Sequence, residues 1–296
     1  MRKLMHTLSV MNDLTKWVLL LLPLFFMNSK PEPQQGWQTL FNGKNLSGWD
    51  TYIGPLVNPA NQKFEGEPIG LNKDPNHVFS VVNEKDGAAI RISGENFGGI
   101  STQQEFENYH LQLKFKWGEL AWAPKKGKKK DSGVLYHCAG PHGADYGFWM
   151  RSQEFQVQEG DCGDYWGVAG GVADIPANKK SDSEYIYASS GQLYHFAAGS
   201  KTGRHCIKNP DAENPTGQWN QIDIYCHGDT SVHVVNGKLV MVLYHNAQSD
   251  QGIEKPLTRG KLQIQSEGAE VFYKDIRIQP ISIIPPLVLK GLAAIQ

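Results

Sequence analysis

The chain of 296 residues has few cysteines, almost no net charge and no long hydrophobic run. None of its four cysteines forms a C-x-x-C pair, which argues against a structural zinc cluster. A formal charge of −1 argues against nucleic acid as a partner, because nucleic-acid binders carry a basic excess. The longest apolar run, residues 17–27, is too short for a stable membrane span, which needs about 20 residues.

The signatures of several enzyme classes are also missing. The chain has no H-E-x-x-H, no G-x-S-x-G and no P-loop motif. These motifs carry the chemistry of zinc proteases, α/β-hydrolases and nucleotide-binding enzymes. Those classes are therefore excluded.

The amino terminus has the layout of an export signal. Arg2, Lys3 and Lys16 precede the apolar run, and polar residues 28–30 follow it. A basic segment followed by a short apolar segment is typical of a cleaved signal peptide. We predict a signal peptide over residues 1–29 and an exported protein, periplasmic or extracellular.

Cysteines in an exported chain can form disulfides. The short loops between neighbouring strands favour pairing Cys138 with Cys162 and Cys206 with Cys226. Four buried free thiols are the alternative, because a core of this size needs no covalent staple.

Alternating apolar and polar residues predict strands from residue 37 onward. This two-residue period is typical of a strand with one wet face, and it recurs at residues 109–117, 221–226, 231–236, 261–265 and 271–278. Asn236-Gly237 indicates a tight hairpin, and no segment after the signal peptide keeps a helical period. The sequence predicts an all-β, antiparallel two-sheet sandwich.

One domain is expected over residues 37–280, because no linker-like segment divides it. Residues 281–296 form an apolar tail interrupted by Pro285 and Pro286, expected to pack on the surface or to contact a partner. The lysine-rich run at residues 125–130 indicates a solvated loop.

The segment 149–166 holds the most informative polar residues. Phe155 and Val157 are expected in the core, so Glu154, Gln156 and Gln158 line the opposite face about 6.5–7 Å apart. Carboxylate and amide groups suit the hydroxyls of a sugar. An ordinary wet strand face is the alternative.

Further candidates flank that strand or lie on other strands. Trp149 and Trp166 are aromatic plates for sugar rings, and Arg151 is a possible donor to substrate. His233 and Gln265 are expected on wet faces, because the aliphatic residues beside them point inward.

Six segments in order resemble the 3-keto-disaccharide hydrolase family, within the concanavalin A-like lectin/glucanase superfamily. The resemblance covers nearly all of residues 37–280 and rests on the following segments: 40–49 (LFNGKNLSGW), 131–136 (DSGVLY), 154–158 (EFQVQ), 218–222 (QWNQI), 233–237 (HVVNG) and 260–265 (GKLQIQ) followed by 271–276 (VFYKDI).

The resemblance implies a jelly-roll sandwich whose concave face cleaves glycosides already oxidised to a ketone at C3. Some members act as lyases with a divalent metal. The ketone acidifies the hydrogen at C2, so a base removes it and the C1 substituent leaves by β-elimination. The reaction needs a base at C2 and an electrophile at the ketone oxygen.

Carried onto this sequence, the resemblance places the family's strand carboxylate at Glu154. His137 stands where many members have Arg, which opens a base or ligand role for it. We predict Glu154, His137 and His233 as catalytic, and His137, Glu154 and Glu267 as ligands of a possible divalent metal ion. The predicted substrate-binding residues are Gln156, Gln158, Arg151, Trp149, Trp166 and Gln265.

The expected partner is an oxidised glycoside or oligosaccharide. A non-catalytic carbohydrate-binding module and a conventional two-carboxylate glycosidase remain as alternatives. A module would bind intact glycans without consuming them, and a conventional glycosidase would cleave an unoxidised glucoside.

Overall fold

The computed structural model describes residues 36–291. The predicted signal peptide, residues 1–29, lies outside the described residues, as does the end of the predicted tail, residues 292–296. The described residues 36–291 belong to one compact unit. Within the described part, no helix is long and apolar enough to cross a membrane.

The described residues form 23 strands and one short helix. The first nine strands are β1 (Gln38–Thr39), β2 (Trp49–Ile53), β3 (Leu56–Asn58), β4 (Lys63–Glu65), β5 (Gly70–Leu71), β6 (Phe79–Glu84), β7 (Gly87–Ile92), β8 (Gly98–Thr102) and β9 (Phe106–Glu107). The next eight are β10 (Tyr109–Ala121), β11 (Asp131–Ala139), β12 (Arg151–Gln158), β13 (Tyr165–Val168), β14 (Gly171–Lys179), β15 (Tyr185–Tyr187), β16 (Gln192–Phe196) and β17 (His205–Cys206). The last are β18 (Asn220–His227), β19 (Thr230–Val235), β20 (Lys238–Asp250), β21 (Ile253–Pro256), β22 (Arg259–Ser266), β23 (Ala269–Pro280) and the helix α1 (Pro286–Leu289).

Two large antiparallel sheets confirm the predicted sandwich. The front sheet has nine strands, in the order β17-β13-β12-β11-β22-β8-β2-β5, with β9 beside β22. The back sheet has twelve strands, in the order β15-β14-β20-β19-β18-β10-β23-β7-β6, with β1, β16 and β21 at its margins. Strands β3 and β4 form a small separate hairpin. The predicted hairpin is present, because Asn236 and Gly237 adopt positive φ angles of 48° and 76° between β19 and β20.

The main core lies between the two sheets. Phe155 and Ile264 of the front sheet share one buried cluster with Leu113 and Ile222 of the back sheet. Polar groups also meet across the sandwich, since the hydroxyls of Ser132 and Tyr273 lie 2.8 Å apart. Burial of these aliphatic and aromatic faces is the main force that holds the sheets together.

The back sheet is covered on its other side as well. Val232 and Val234 of β19 belong to a second buried cluster, which includes Ile284 and Val288 from the carboxyl-terminal segment. The part of the predicted tail that the structure describes therefore packs on the protein, and α1 contributes Val288 to this contact.

All four cysteines are free and buried, so the favoured disulfide pairing is wrong and the alternative of buried thiols is correct. Cys138 and Cys162 lie in different hydrophobic clusters, and so do Cys206 and Cys226. Each expected pair lies on strands that are close together in the sequence, but the fold does not bring the two sulfurs of a pair together.

Candidate active site

The candidate site is built on strand β12 of the front sheet. Phe155 and Val157 lie in the core, so Glu154, Gln156 and Gln158 point to the outer face, away from the back sheet. This face is not wet, because Glu154 and Gln156 are only 6% and 7% exposed. The first two members of the polar row are therefore shielded from solvent, and Gln158 is half-buried.

Strand register sets the neighbours of Glu154. Glu154 pairs with Leu135 of β11 on one side and with Trp166 of β13 on the other. Leu135 also pairs with Gln263 of β22. Paired residues of antiparallel strands share a face, so the carboxylate of Glu154 stands beside the Trp166 indole.

A bare stretch of backbone lies beside the Glu154 carboxyl. A Cβ atom on Gly133 would lie 2.3 Å from Oε1 of Glu154 and 2.4 Å from Oε1 of Gln265. The two oxygens therefore occupy the space above Gly133 that the side chain of any other residue would fill. Gly133 supplies the floor of the site by having no side chain.

Three carboxyl groups, those of Glu154, Asp131 and Glu267, lie near this floor, and one lysine contacts two of them. Lys125 forms an ion pair with Asp131 and a second one of 3.2 Å with Glu267. Asp131 also accepts hydrogen bonds from Gln158 Nε2 at 2.6 Å and from Gln156 Nε2 at 3.2 Å. The two glutamine amides are thereby fixed in orientation.

The protonation of the carboxyls follows from their burial. Burial raises the pKa of Glu154 well above its usual range, and the charges of Glu267 and Asp131 raise it further. Burial likewise raises the pKa of Glu267 to about 8, with a further contribution from Asp131. A carboxyl whose pKa approaches neutrality can both accept and donate a proton under physiological conditions.

The charge of one cation, Arg204, also acts on Glu154. The guanidinium of Arg204 donates to the carbonyl of Gly167 at 3.2 Å and lies 3.6 Å from Asp145. Its positive charge lowers the pKa of Glu154, against the larger effect of burial. Arg204 also lies 5.5 Å from the ring centre of Trp166.

Trp166 forms one wall of an open cavity. Its indole stacks on His205 at 4.3 Å between ring centres, and His205 is held by Asp164 at 2.8 Å. A cavity of about 340 Å³ lies against Trp166, His205, Gln156 and Gln158. This volume is in the range of small-ligand pockets.

Some polar atoms in this region have no partner among the described residues. They are the buried amide oxygens of Gln156 and Gln265. Buried polar groups are normally hydrogen-bonded, so these two acceptors are suited to the hydroxyl groups of a ligand.

The two predicted histidines lie elsewhere. His137 packs its ring 5.7 Å from the ring of Tyr109, a residue of the back sheet, because a bulge in β11 and a φ of 54° turn it inward. Its ring nitrogens have no hydrogen-bond partner of good geometry. The backbone of Leu257 raises the pKa of this imidazole, against the larger lowering by burial. His137 is therefore a buried core residue, 0% exposed.

His233 was expected on a wet face, and this is wrong. It is 0% exposed, with Nε2 at 3.0 Å from the Tyr136 hydroxyl and Nδ1 at 3.1 Å from the carbonyl oxygen of Gly163. The side of β19 that carries Val232 and Val234 faces the second cluster instead. Both sides of this strand are buried, so the alternation could not reveal which side faces the main core.

Two further predicted residues frame the front sheet without joining Glu154. Arg151 is on the opposite face of β12 by strand parity and lies 3.6 Å from Asp250. Trp149 donates to the carbonyl of Gly98 at 3.1 Å and packs near Leu135, in the loop before β12.

The predicted metal ligands are not assembled. The imidazole of His137 lies between the sheets, whereas Glu154 is on the outer face of the front sheet. Within residues 36–291, no group of three or more His, Cys, Asp or Glu side chains is placed to hold a metal ion. The residues around Glu154 therefore do not fit the predicted ligand set.

Residues 36–279 match the family described as the 3-keto-alpha-glucoside-1,2-lyase-like domain. The chain belongs to this family. Among curated protein sequences, none matches the chain.

Solved structures show weaker similarity. One from Parabacteroides distasonis ATCC 8503, assigned provisionally as a glycosyl hydrolase, is 20% identical, with 83% of this chain and 100% of that chain covered and a TM-score of 0.47. The carbohydrate binding module CBM66 from Bacillus subtilis is 9% identical, with 78% and 95% covered and a TM-score of 0.39. These likenesses are too distant to assign a role to any residue.

Several residues of this family member's site escaped the sequence reasoning. Lys125 belongs to a run expected to be solvated, yet it binds two carboxylates. Arg204 and His205 carried no recognisable pattern, because they lie in and beside the two-residue strand β17. The sequence does indicate a position for Asp131, because residues two apart in a strand lie on the same face, which puts Asp131 beside Gly133.

Proposed function

We propose that the protein cleaves 3-keto-glycosides, with Glu154 as the proton-transferring group. The observation that carries the proposal is the buried Glu154 carboxyl, whose pKa is raised and whose oxygen overhangs the bare backbone of Gly133. Family membership supports a carbohydrate-active β-sandwich. The oxidised substrate and the mechanism are part of the proposal.

In the proposed reaction, ionised Glu154 removes the hydrogen at C2 of the sugar, which the C3 ketone has made acidic. The C1–oxygen bond then breaks and a C1=C2 double bond forms. The departing oxygen takes a proton from the carboxyl group that Glu154 has become, which restores the carboxylate. The raised pKa makes the carboxylate a stronger base than an ordinary glutamate, which favours removal of the C2 hydrogen. It also keeps the resulting carboxyl group protonated until the departing oxygen takes the proton.

Negative charge develops on the ketone oxygen when the C2 hydrogen is removed. We assign Arg204 as the donor that meets it, because Asp145 and the carbonyl of Gly167 hold its guanidinium beside Trp166 and its charge acts on Glu154. A fixed donor that stabilises developing charge is a large contribution in a site shielded from water. Water that adds across the double bond would complete a hydrolysis, and release before that step would make the enzyme a lyase.

The sugar itself is expected against Trp166, with its hydroxyls bonded to Gln156 and Gln158. The cavity of about 340 Å³ offers this combination of an aromatic plate and oriented amides. Glu154 is not in the lining of this cavity but stands next to it, as the register partner of Trp166. We further propose that the protein acts outside the cytoplasm, after removal of residues 1–29. No step of the proposed mechanism passes through a metal ion.

The test is incubation of the purified protein with a 3-keto-glucoside and its unoxidised counterpart. Only the ketone should be consumed, and NMR of the products distinguishes an unsaturated sugar from a hydrated one. Glu154→Gln should lower turnover by about a hundredfold, the usual scale for an acid–base group. A parallel incubation with EDTA tests separately whether a divalent ion takes part.

Glu67→Gln is the matched control, because Glu67 is an exposed loop residue far in sequence from the site strands. Glu154→Gln should also be at least as stable as the parent at pH 8, since the fold holds the ionised Glu154 carboxyl unfavourably. A folded variant with normal turnover would remove Glu154 from the mechanism. Binding of both glycosides without consumption of either would indicate a carbohydrate-binding module instead.

A further inference from the structure

A second groove lies on the outer face of the back sheet, on the other side of the sandwich from Glu154. Two adjoining cavities of about 500 and 610 Å³ share the residues Gln112, Gln221 and Arg277. We call the two together the back groove. It crosses β18, β10 and β23, and it is bounded at one end by Trp37 and Leu287.

The polar floor of the back groove is held in place by one buried carboxylate. Asp223 accepts hydrogen bonds from His110 Nε2 and Gln112 Nε2, each at 2.7 Å, and from Gln221 Nε2 at 2.9 Å. Gln112 Oε1 in turn accepts a bond from Arg277 Nε at 2.8 Å. The side chains are thus fixed before any ligand arrives, which lowers the entropic cost of binding.

This network leaves donors and acceptors free. Among the described residues, nothing bonds to the amide oxygen of Gln221 or to Nη1 of Arg277. Both side chains are half-buried at the centre of the groove. They can therefore meet the hydroxyl groups of a ligand.

An aromatic residue stands beside these polar groups. Trp37 is 36% exposed, with the Arg277 guanidinium 4.2 Å from its ring centre and His110 against its edge at 4.8 Å. Leu287 of α1 adds an exposed apolar wall. A partly exposed indole next to oriented amides matches the apolar face and the hydroxyl rim of a sugar ring.

The balance of positive and negative charges in the back groove narrows the chemical class of its ligand further. Lys114 pairs with Asp275 at 2.9 Å, and Asp223 and Arg277 contribute one charge of each sign. A groove for nucleic acid or an anionic glycan would carry a basic excess. The floor spans three strands about 4.8 Å apart, so it is wide enough for more than one sugar ring.

We propose that the back groove binds a neutral oligosaccharide, as a site separate from the one around Glu154. This inference goes beyond the proposed function and does not depend on it. Such a site would hold the protein on a glycan while the front sheet acts on sugars released nearby.

The test follows the Trp37 indole N–H by ¹⁵N NMR in the Glu154→Gln protein, so that no ligand is consumed. The probes are maltohexaose, cellohexaose and laminarihexaose, each titrated separately to millimolar concentration. At least one should shift the Trp37 resonance in a saturable manner. Arg277→Met should weaken that binding about tenfold, because a fixed donor and its contact with the indole are lost.

Trp166→Ala, made in the same background, is the control for the front site and should leave the Trp37 titration unchanged. Trp37→Phe identifies the resonance, and Arg277→Lys replaces Arg277→Met if the latter unfolds. The proposal is overturned if no hexaose shifts Trp37, or if the Arg277 variant that folds binds like the parent. Tighter binding of an oligogalacturonate would also overturn it, since the ligand would then be anionic.

Discussion

Glu154 of β12 and Trp166 of β13 are direct register partners on the outer face of the front sheet. The carboxylate proposed to transfer the proton and the indole proposed to receive the sugar ring are thereby adjacent without any loop to position them. The pairing depends on backbone hydrogen bonds between two strands, so its geometry is as rigid as the sheet. This rigidity suits a group that has to reach a single carbon atom.

Gly133→Ala should disable the site and leave the fold nearly intact. The added Cβ would collide with the ends of two flexible side chains, Glu154 and Gln265, which can move away at little cost to stability. Displacing the base by about 1 Å lowers turnover by about a hundredfold. Steady-state kinetics and thermal unfolding measure the two effects.

Gly99→Ala is the comparison for that variant, because its Cβ would crowd Gln263 and not Glu154. It should reduce turnover much less than Gly133→Ala does. Equal losses of activity in the two variants would mean that crowding anywhere on this face is harmful, and the special position of Gly133 would be refuted.

Lys125→Met should destabilise the protein by about 1–3 kcal/mol, because Asp131 is buried and would lose its cation. The side chain of Lys125 is one quarter exposed, which keeps the loss below that of a fully buried pair. Denaturant unfolding measures the change. Lys129→Met should have an effect of at most about 0.5 kcal/mol, because Lys129 pairs with Asp161 on the surface; comparable losses in the two variants would contradict the structural role of Lys125.

The two buried histidines should lower the stability of the protein in mild acid, whereas the buried carboxyls of Glu154 and Glu267, whose pKa values are raised, should act in the opposite direction. Burial lowers the pKa of His137 and of His233 from 6.5 to about 4. At these two residues the unfolded chain therefore binds protons at a higher pH than the folded one, so their contribution to stability is complete above pH 6.5 and is lost as the pH drops toward 4. Each histidine accounts for about 3 kcal/mol over that range.

Melting temperatures between pH 8 and pH 4.5 test this expectation. His137→Phe should flatten the profile, since an aromatic ring without ionisable nitrogens replaces the imidazole beside Tyr109. His227→Gln, at the half-buried end of β18, should leave the slope unchanged. A profile of His137→Phe that matches the parent would show that this residue does not control acid stability.

The four cysteines should remain unmodified in the native protein and react in urea. Burial raises the pKa of all four thiols, which leaves little of the reactive thiolate. Mass spectrometry after alkylation should count no adducts on the folded chain and four on the unfolded one. Reductant should not change the melting temperature; a mass showing paired cysteines would contradict the structure.

The sequence by itself determined the fold class and one strand of the site. The two-residue period at 109–117 and 271–278 could produce only strands, and these became β10 and β23, which pair in the back sheet. In β12 the core residues Phe155 and Val157 are apolar and their neighbours are polar, so the direction of Glu154 could be read from the alternation alone. Such a reading works wherever only one face of a strand is apolar.

The tertiary structure decided everything that depends on which residues meet across strands and loops. His233 lies in a strand that is buried on both sides, so its alternation did not show which face meets the main core. Lys125 meets Asp131 and Glu267 through the path of the loop between β10 and β11, and the cysteines remained unpaired because they lie in different clusters. Local periodicity fixes the direction of a side chain relative to its own strand. The partner it finds is fixed by register, bulges and loop paths, which arise from the packing of distant segments.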